Sequence, residues 1–287
     1  MSSVIEAAVV GGGPAGVQAA LTLGRMHVNS VVFDDGHYRN ATSTRMHNVL
    51  GWDGSTPAEL REAGRLEIAS YPWVRVVEAT VSSARAEGSQ LILTTSDSEW
   101  VVERVLLASG VQDDLLPIPG LRELWGDVVL PCPYCHGHEF AQGPIAVISS
   151  GGHADHIGAL LRGLTHDVPV LAPEEVVAVT RSRLGVDIRL RDGAVIGAAC
   201  VFIPANAAPR SSIAVGLGIP VTPDGIEVDP LGRTVRPGVW AAGDVVKRVD
   251  SRIPAAVITA MSSGLIAAAD IAASVAANRD VRRASAS

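Results

Sequence analysis

Cysteine is scarce in this chain of 287 residues: there are three, an odd number and too few for a disulfide framework. Lys and Arg are scattered, with no run longer than Arg282-Arg283. At a formal charge of −7 the chain lacks the clustered basic face that a phosphate backbone requires, which excludes nucleic acid as the main partner. No stretch of about 18 apolar residues occurs, so no membrane span is predicted. A strand-like run at residues 5–10 begins almost at once and leaves no room for a basic, then hydrophobic, export segment; a cytoplasmic protein is expected. Low complexity is confined to residues 282–287, where a frayed tail is expected. Charged residues are few, 18% against 47% hydrophobic. That excludes a disordered chain, and the length fits two domains of ordinary size.

What is present begins with strand, glycine turn, helix, strand. The apolar run at residues 5–10 leads into Gly11-Gly12-Gly13-Pro14-Ala15-Gly16, then a helix-like segment, then Ser30-Val31-Val32-Phe33 ending at Asp34-Asp35. This is a βαβ unit with G-x-G-x-x-G spacing and an acid about 20 residues on. Gly11 permits the tight turn, Gly13 lets the backbone approach a pyrophosphate, and Gly16 brings helix and strand together. The helix N-terminus then points its unpaired N–H groups at the phosphates. Asp34 is placed to accept from an adenosine ribose hydroxyl, with Asp35 as second choice.

Residues 73–81, 90–96 and 99–108 alternate as antiparallel strands do. The last runs into Ala108-Ser109-Gly110, and Pro117, Pro119 and Gly120 mark a crossover. A second strand–turn–helix starts at Ile145-Ala146-Val147-Ile148 and copies the first, but Ser149 stands where the first glycine belongs. The next strand ends in Ala172-Pro173-Glu174-Glu175. After Val201-Phe202-Ile203 the chain reaches Ala241-Ala242-Gly243-Asp244 and a final helix from about residue 255. The fold class predicted is α/β, with two Rossmann-like dinucleotide-binding domains. The first is discontinuous, residues 1–116 and 206–287; the second, residues 117–205, is inserted, shortened and carries Cys132-Pro133-Tyr134-Cys135.

In a reducing compartment a CxxC pair is catalytic or metal-binding more often than structural. A zinc site completed by His136 or His138 would want a second ligand pair, which the sequence lacks; no metal is expected. Thiols with a pKa near 8.5 need a proton acceptor at neutral pH. His136, directly after the motif, suits that role, and His138 is a second candidate or lines a substrate pocket. Cys200, in an apolar run, reads as a small buried hydrophobe. His47, Trp52 and Asp53 line a pocket or simply pack a loop. His153, His156 and His166 read as solvated helix-face residues.

Together the glycine turn, Ala108-Ser109-Gly110 leading to Pro117-x-Pro119-Gly120, the CxxC, and Ala241-Ala242-Gly243-Asp244 resemble the low-molecular-weight thioredoxin reductase family over nearly the whole chain. Cys-Pro-Tyr-Cys-His-Gly looks most like the FAD-dependent dithiol oxidases of the gliotoxin and holomycin type. Residues 33–40, His47-Asn48 and Gly51-Trp52-Asp53-Gly54 are similar to that subgroup as well. The resemblance implies FAD, held by Gly11, Gly13, Pro14, Ala15, Gly16, Asp34, Asp35, Arg39, Asn40, His47, Asn48, Ser109, Gly110, Gly243 and Asp244. It implies Cys132 and Cys135 as the redox pair, a small-molecule dithiol and O₂ as reactants, and a homodimer; His136 and His138 complete the candidate catalytic set on their own chemistry, His138 standing where the similar oxidases tend to carry an aromatic residue. Cys132 would take the substrate thiol and Cys135 would pass electrons to the flavin.

Two departures bear on the electron donor. Carboxylates at Glu174 and Glu175 repel a 2′-phosphate, and Pro173 offers no N–H. Ser149 interrupts the second glycine pattern, and only about 30 residues separate the strand at Pro169-Val170-Leu171 from Val201, short for a full nucleotide-binding half. A dithiol oxidase forming an intramolecular disulfide in a natural product, with O₂ reduced to H₂O₂, is the expected function. The alternative is an NAD(P)H-dependent thioredoxin or disulfide reductase. A non-enzymatic redox sensor is a third reading, for which the sequence offers no appended interaction domain.

Overall fold

A computed structural model describes residues 5–247 and 255–286. The chain divides into two compact units: Met1–Arg39, Ala58–Gln112 and Ala208–Ser287 in one, Asn40–Pro57 and Asp113–Ala207 in the other. In chain order the first unit begins with β1 (Ala7–Val10), α1 (Pro14–Arg25), β2 (Ser30–Asp34), α2 (Pro57–Ala69) and β3 (Val74–Glu78). It continues with β4 (Ser83–Glu87), β5 (Gln90–Thr94), β6 (Glu99–Val102) and β7 (Val105–Leu107). The second unit holds β8 (Val129–Leu130), α3 (Pro133–His136), β9 (Ile145–Ile148), α4 (Gly151–Arg162) and β10 (Val170–Leu171). Then come β11 (Val176–Arg181), β12 (Val186–Leu190), β13 (Val195–Ala198) and β14 (Cys200–Phe202). β15 (Val239–Ala241) and α5 (Val257–Ala286) return to the first unit.

The first unit is built on a parallel sheet in the order β15-β7-β1-β2-β3. Its strands are nearly continuous apolar runs because both faces are covered. On one face α1 contributes Ala15, Ala19, Ala20 and Leu23, and α5 contributes Ala267, Ala268, Ile271 and Val275. On the other, Phe33, Val105 and Leu107 pack against Leu91 and Leu93 of the β4–β6 meander. Each fully buried large side chain here stabilises the fold by about 1.5–3 kcal/mol.

The second unit repeats the plan in small. β10-β9-β14-β8 form a parallel sheet, packed with Ile157 and Leu161 of α4 into one core. Where a full nucleotide fold would add another crossover, the chain inserts the antiparallel meander β11-β12-β13. Cys200 is fully buried in this core, and burial pushes its thiol pKa up.

Several expectations need correction. Residues 73–81 do not pair antiparallel: β3 lies parallel to β2, from Ser30 opposite Val74 to Asp34 opposite Glu78. The cause is α2, a crossover helix that its many charges and internal Gly64 conceal in the sequence. Residues 99–108 are two strands, antiparallel β6 and parallel β7, broken at buried Arg104, whose guanidinium bonds Glu103 and Ser274. Residues 40–57, assigned to the first domain, belong to the second unit, because their loop carries His47 to Glu139 and His136. The residues expected to fray are helical through Ala286, with Ser287 outside the described residues. Finally, Val257–Ser285 is long and apolar enough by length and composition to cross a membrane, since alanines, not an unbroken aliphatic run, supply its apolarity. Its packing on α1 is that of a domain helix.

Candidate functional site

In the first unit the glycine turn folds as its spacing demands. Gly11 has φ +116°, and a Cβ on Gly16 would overlap the Gly11 carbonyl oxygen, so helix and turn meet only without a side chain. Pro14 opens α1 and Gly13 is its N-cap. Nothing lies within 4 Å of where a Gly13 Cβ would be. That leaves a cradle beside the free N–H groups of the first helical turn, which is what a pyrophosphate needs.

Beyond the ends of β2 and β3 a cleft of about 250 Å³ is lined by Asp34, Asp35, Gly36, Arg65, Glu78, Ala79 and Thr80. Asp34, its side chain 2% exposed, accepts from the Gly36 N–H at 3.0 Å, from the Tyr38 hydroxyl at 2.7 Å and from Arg65 at 2.5 Å. Burial alone would raise the Asp34 pKa; these three donors outweigh it and hold the carboxyl below its ordinary value. The Tyr38 phenol is pushed up to about 12, by its own burial and then by the Asp34 charge. Arg61 stacks over the Tyr38 ring at 3.9 Å. A carboxylate offers about four acceptor positions, so one remains for a ribose hydroxyl. Arg61 and Arg65 were not singled out from sequence, because α2 itself was not recognised; Tyr38 lies in the stretch 33–40, but its hydroxyl's approach to Asp34 shows only in the fold.

Asp35 accepts the His37 N–H at 2.9 Å. Arg39 and Asp244 meet at 2.9 Å across 205 residues of sequence. Gly243 donates its N–H to Ser263 at 2.9 Å, and the Ser109 hydroxyl donates to the Arg210 carbonyl at 2.6 Å, beside Gly110. Those residues of the expected cofactor set share one unit, whereas Asn40, His47 and Asn48 are placed in the other.

In the second unit Cys132 and Cys135 form a disulfide with their Cα atoms 5.4 Å apart. Pro133 starts the short helix α3 between them, and Tyr134 is 51% exposed. His136 ends α3, half-buried; burial first, and the charge of His47 second, lower its pKa, with Glu139 opposing. His138 is exposed. The loop at 46–55 is closed by Met46 N–H to Ser55 O at 2.8 Å and Gly54 N–H to Met46 O at 2.9 Å. Within it the Asp53 carboxylate accepts the Asn48 N–H at 2.7 Å, holding Asn48 at φ +60°. Among the described residues no group of three or more His, Cys, Asp and Glu is arranged to hold a metal ion.

The second glycine pattern is altered in space as in sequence. Ser149 Oγ meets His153 Nδ1 at 2.9 Å across the first turn of α4, so His153 is engaged and not merely solvated. After β10, the Ala172 N–H donates to Glu175 at 2.9 Å, and Arg191 donates to the Glu174 carbonyl. The turn after β10 thus holds the Glu175 carboxylate on its own backbone and binds one guanidinium, that of Arg191, through a backbone carbonyl.

A match to the pyridine nucleotide-disulphide oxidoreductases covers residues 5–178 and 164–264. The chain belongs to this family. A thioredoxin reductase of Claviceps purpurea, tcpT, is 31% identical over 95% of this chain and 96% of its own. Another from Aspergillus oryzae, aclD, is 27% identical over 95% and 97%. Among solved structures, HlmI superposes with a TM-score of 0.86 at 29% identity, covering 99% of this chain and 98% of that one. A thioredoxin reductase from Bacillus anthracis gives 0.87 at 27%, covering 96% and 99%. These relatives agree with the thioredoxin reductase-like architecture read from the sequence. As a pyridine nucleotide-disulphide oxidoreductase the chain is a disulfide-active flavoenzyme with FAD as its cofactor. The Gly13 cradle, the cleft at Asp34 and the Arg39–Asp244 pair fit the adenosine and pyrophosphate of that group.

Proposed function

We propose that this oxidoreductase is a dithiol oxidase, closing an intramolecular disulfide in a small natural-product dithiol with O₂ as electron acceptor. The observation that carries this reading lies in the second unit: an intact Cys132–Cys135 disulfide beside half-buried His136, next to a glycine pattern interrupted by the Ser149–His153 contact.

A substrate thiol loses its proton to His136, and the thiolate attacks Cys132 Sγ. The Cys132–Cys135 bond breaks and Cys135 leaves as thiolate. The second substrate thiol, deprotonated in turn, attacks the substrate sulfur of the mixed disulfide. The product disulfide departs and two electrons remain on the cysteine pair as a dithiol. FAD, when bound, supplies the two-electron acceptor that restores the Cys132–Cys135 bond and delivers the electrons to O₂, giving H₂O₂. The sum is one dithiol and one O₂ to one disulfide and one H₂O₂. Gly11, Gly13, Gly16 and the first turn of α1 hold the pyrophosphate; Arg39, paired with Asp244, adds the cationic contact; Asp34 takes the ribose. We propose the cytoplasm as the site of action and, on the family resemblance, the homodimer as the working form.

Arg191, bonded to the Glu174 carbonyl, favours a second reading: a disulfide reductase fed by NAD(P)H. Anaerobic titration of the purified yellow protein separates the two. A dithiol alone bleaches the flavin of an oxidase, and stoichiometric NADPH or NADH does not. Rapid bleaching by either nucleotide ends the oxidase reading. Oxygen uptake against a panel of reduced dithiols, with matching H₂O₂, then identifies the substrate class.

A further inference from the structure

His47 arrives at the disulfide centre from far upstream in sequence. Its side chain is 16% exposed, with Nδ1 3.4 Å from Asp53 and 3.5 Å from Glu139. Its ring stands edge-on to His136, centroids 6.1 Å apart and planes at 88°. The loop bearing it is closed by paired backbone groups, and Asp53 serves twice, fixing the Asn48 backbone with one oxygen and facing His47 with the other. A carboxylate on each side of Nδ1 makes that nitrogen the donor and aims the rest of the ring toward His136.

We propose that His47, clamped by Asp53 and Glu139, is a positioning residue of the disulfide centre that governs His136 through its charge and its ring edge. This rests on His136 being the proton acceptor of thiol–disulfide exchange. His47 from the loop and Glu139 from the turn after α3 are the charged groups acting on His136, with opposite sign. The turn after α4 contributes apolar Leu164 beside Gly137. A positive charge at His47 disfavours a second one at His136, so the base stays ready at lower pH. Glu139 pulls the other way, and the balance sets the pH at which exchange begins. His47, grouped by resemblance with the cofactor residues, thereby serves the sulfur chemistry.

The test is the pH dependence of anaerobic flavin bleaching by dithiothreitol in the holoprotein. Rates are divided at each pH by those of His136→Gln, which cancels ionisation of the reagent. His47→Gln moves the acid limb of this ratio up by roughly half a unit or more. Asp53→Asn, which releases the His47 ring, moves it the same way, and Glu139→Gln moves it down. His47→Arg, which keeps a positive charge, stays nearer wild type than His47→Gln does. Where His47→Gln fails to fold, Asp53→Asn decides by the same criterion. Limbs that superimpose on wild type in the His47 and Asp53 variants overturn the assignment and leave His136 as base. A wild-type flavin that dithiothreitol cannot bleach removes both this assignment and the function beneath it.

Discussion

The Tyr38 hydroxyl donates to the Asp34 carboxylate at 2.7 Å, and Arg65 grips the same oxygen from α2. The acid at the end of β2 therefore comes to the cofactor already oriented, with its charge balanced by α2. Since Asp34 is buried, every donor lost leaves a charged acceptor short of a partner.

Tyr38→Phe removes one such donor and costs about 1–3 kcal/mol. The Asp34 pKa is lowered in the folded protein, so its contribution is present above the unfolded value. It is lost as pH falls through the folded value. With one donor gone the folded value rises toward the unfolded one, so the acid-driven loss of stability is smaller in total and is complete at a higher pH than in wild type. Urea melts at pH 7 and across pH 3–5 measure both effects. Identical acid profiles would show that the phenol does not support the carboxylate.

Gly13 and Gly16 make different demands, and alanine at each separates cofactor binding from folding. Gly13 has an ordinary φ of −74° and open space before it. Gly13→Ala should fold with near-normal stability and purify with little flavin, its methyl group standing where the pyrophosphate belongs. Gly16→Ala forces a methyl onto the Gly11 carbonyl and should lose several kcal/mol of apoprotein stability, in the range of overpacking or worse. Flavin absorbance per polypeptide and apoprotein melts distinguish them; a Gly13→Ala protein saturated with FAD would contradict the cradle.

These contrasts show why part of the molecule was legible in its sequence. The first βαβ unit was, because the glycines, the apolar strands and Asp34 all follow from local chain geometry. The disulfide and His136 were, because their chemistry lies in five consecutive residues. α2 was not: a helix with five charged residues in 13 and Gly64 inside it has a weak apolar stripe, and losing it turned parallel β3 into an expected antiparallel strand. Arg65 and Glu139 acquire their roles only through tertiary approach, Arg65 lying 31 residues from Asp34. No spacing rule reaches that far.

The two cysteines should differ in what they trap. Reduced Cys135→Ser, offered an acyclic aromatic disulfide whose leaving thiolate departs into solution, keeps Cys132 to attack it and lacks the partner thiol that would resolve the adduct. A mixed disulfide at Cys132 should accumulate and be visible by mass. Cys132→Ser should give little adduct and, like Cys135→Ser, no multiple turnover. Adduct confined to Cys132→Ser would reverse the roles of the pair.

His136 carries the clearest pH signature. Burial first, and the His47 charge second, lower its pKa below 6.5, so at neutral pH the imidazole is unprotonated and able to accept a thiol proton. The rate of disulfide reduction by a dithiol should hold from neutral pH down past 6.5 and fall only below that, as His136 becomes imidazolium. His136→Gln should slow the reaction by about 10²–10⁴-fold at neutral pH. The difference should shrink under acid conditions, because the wild-type base is lost there too. Plotting the ratio of the two rates against pH removes the reagent's own ionisation and leaves the histidine alone. A ratio that stays flat from pH 4.5 to 8, or falls off above 6.5, is incompatible with a buried neutral imidazole acting as the base.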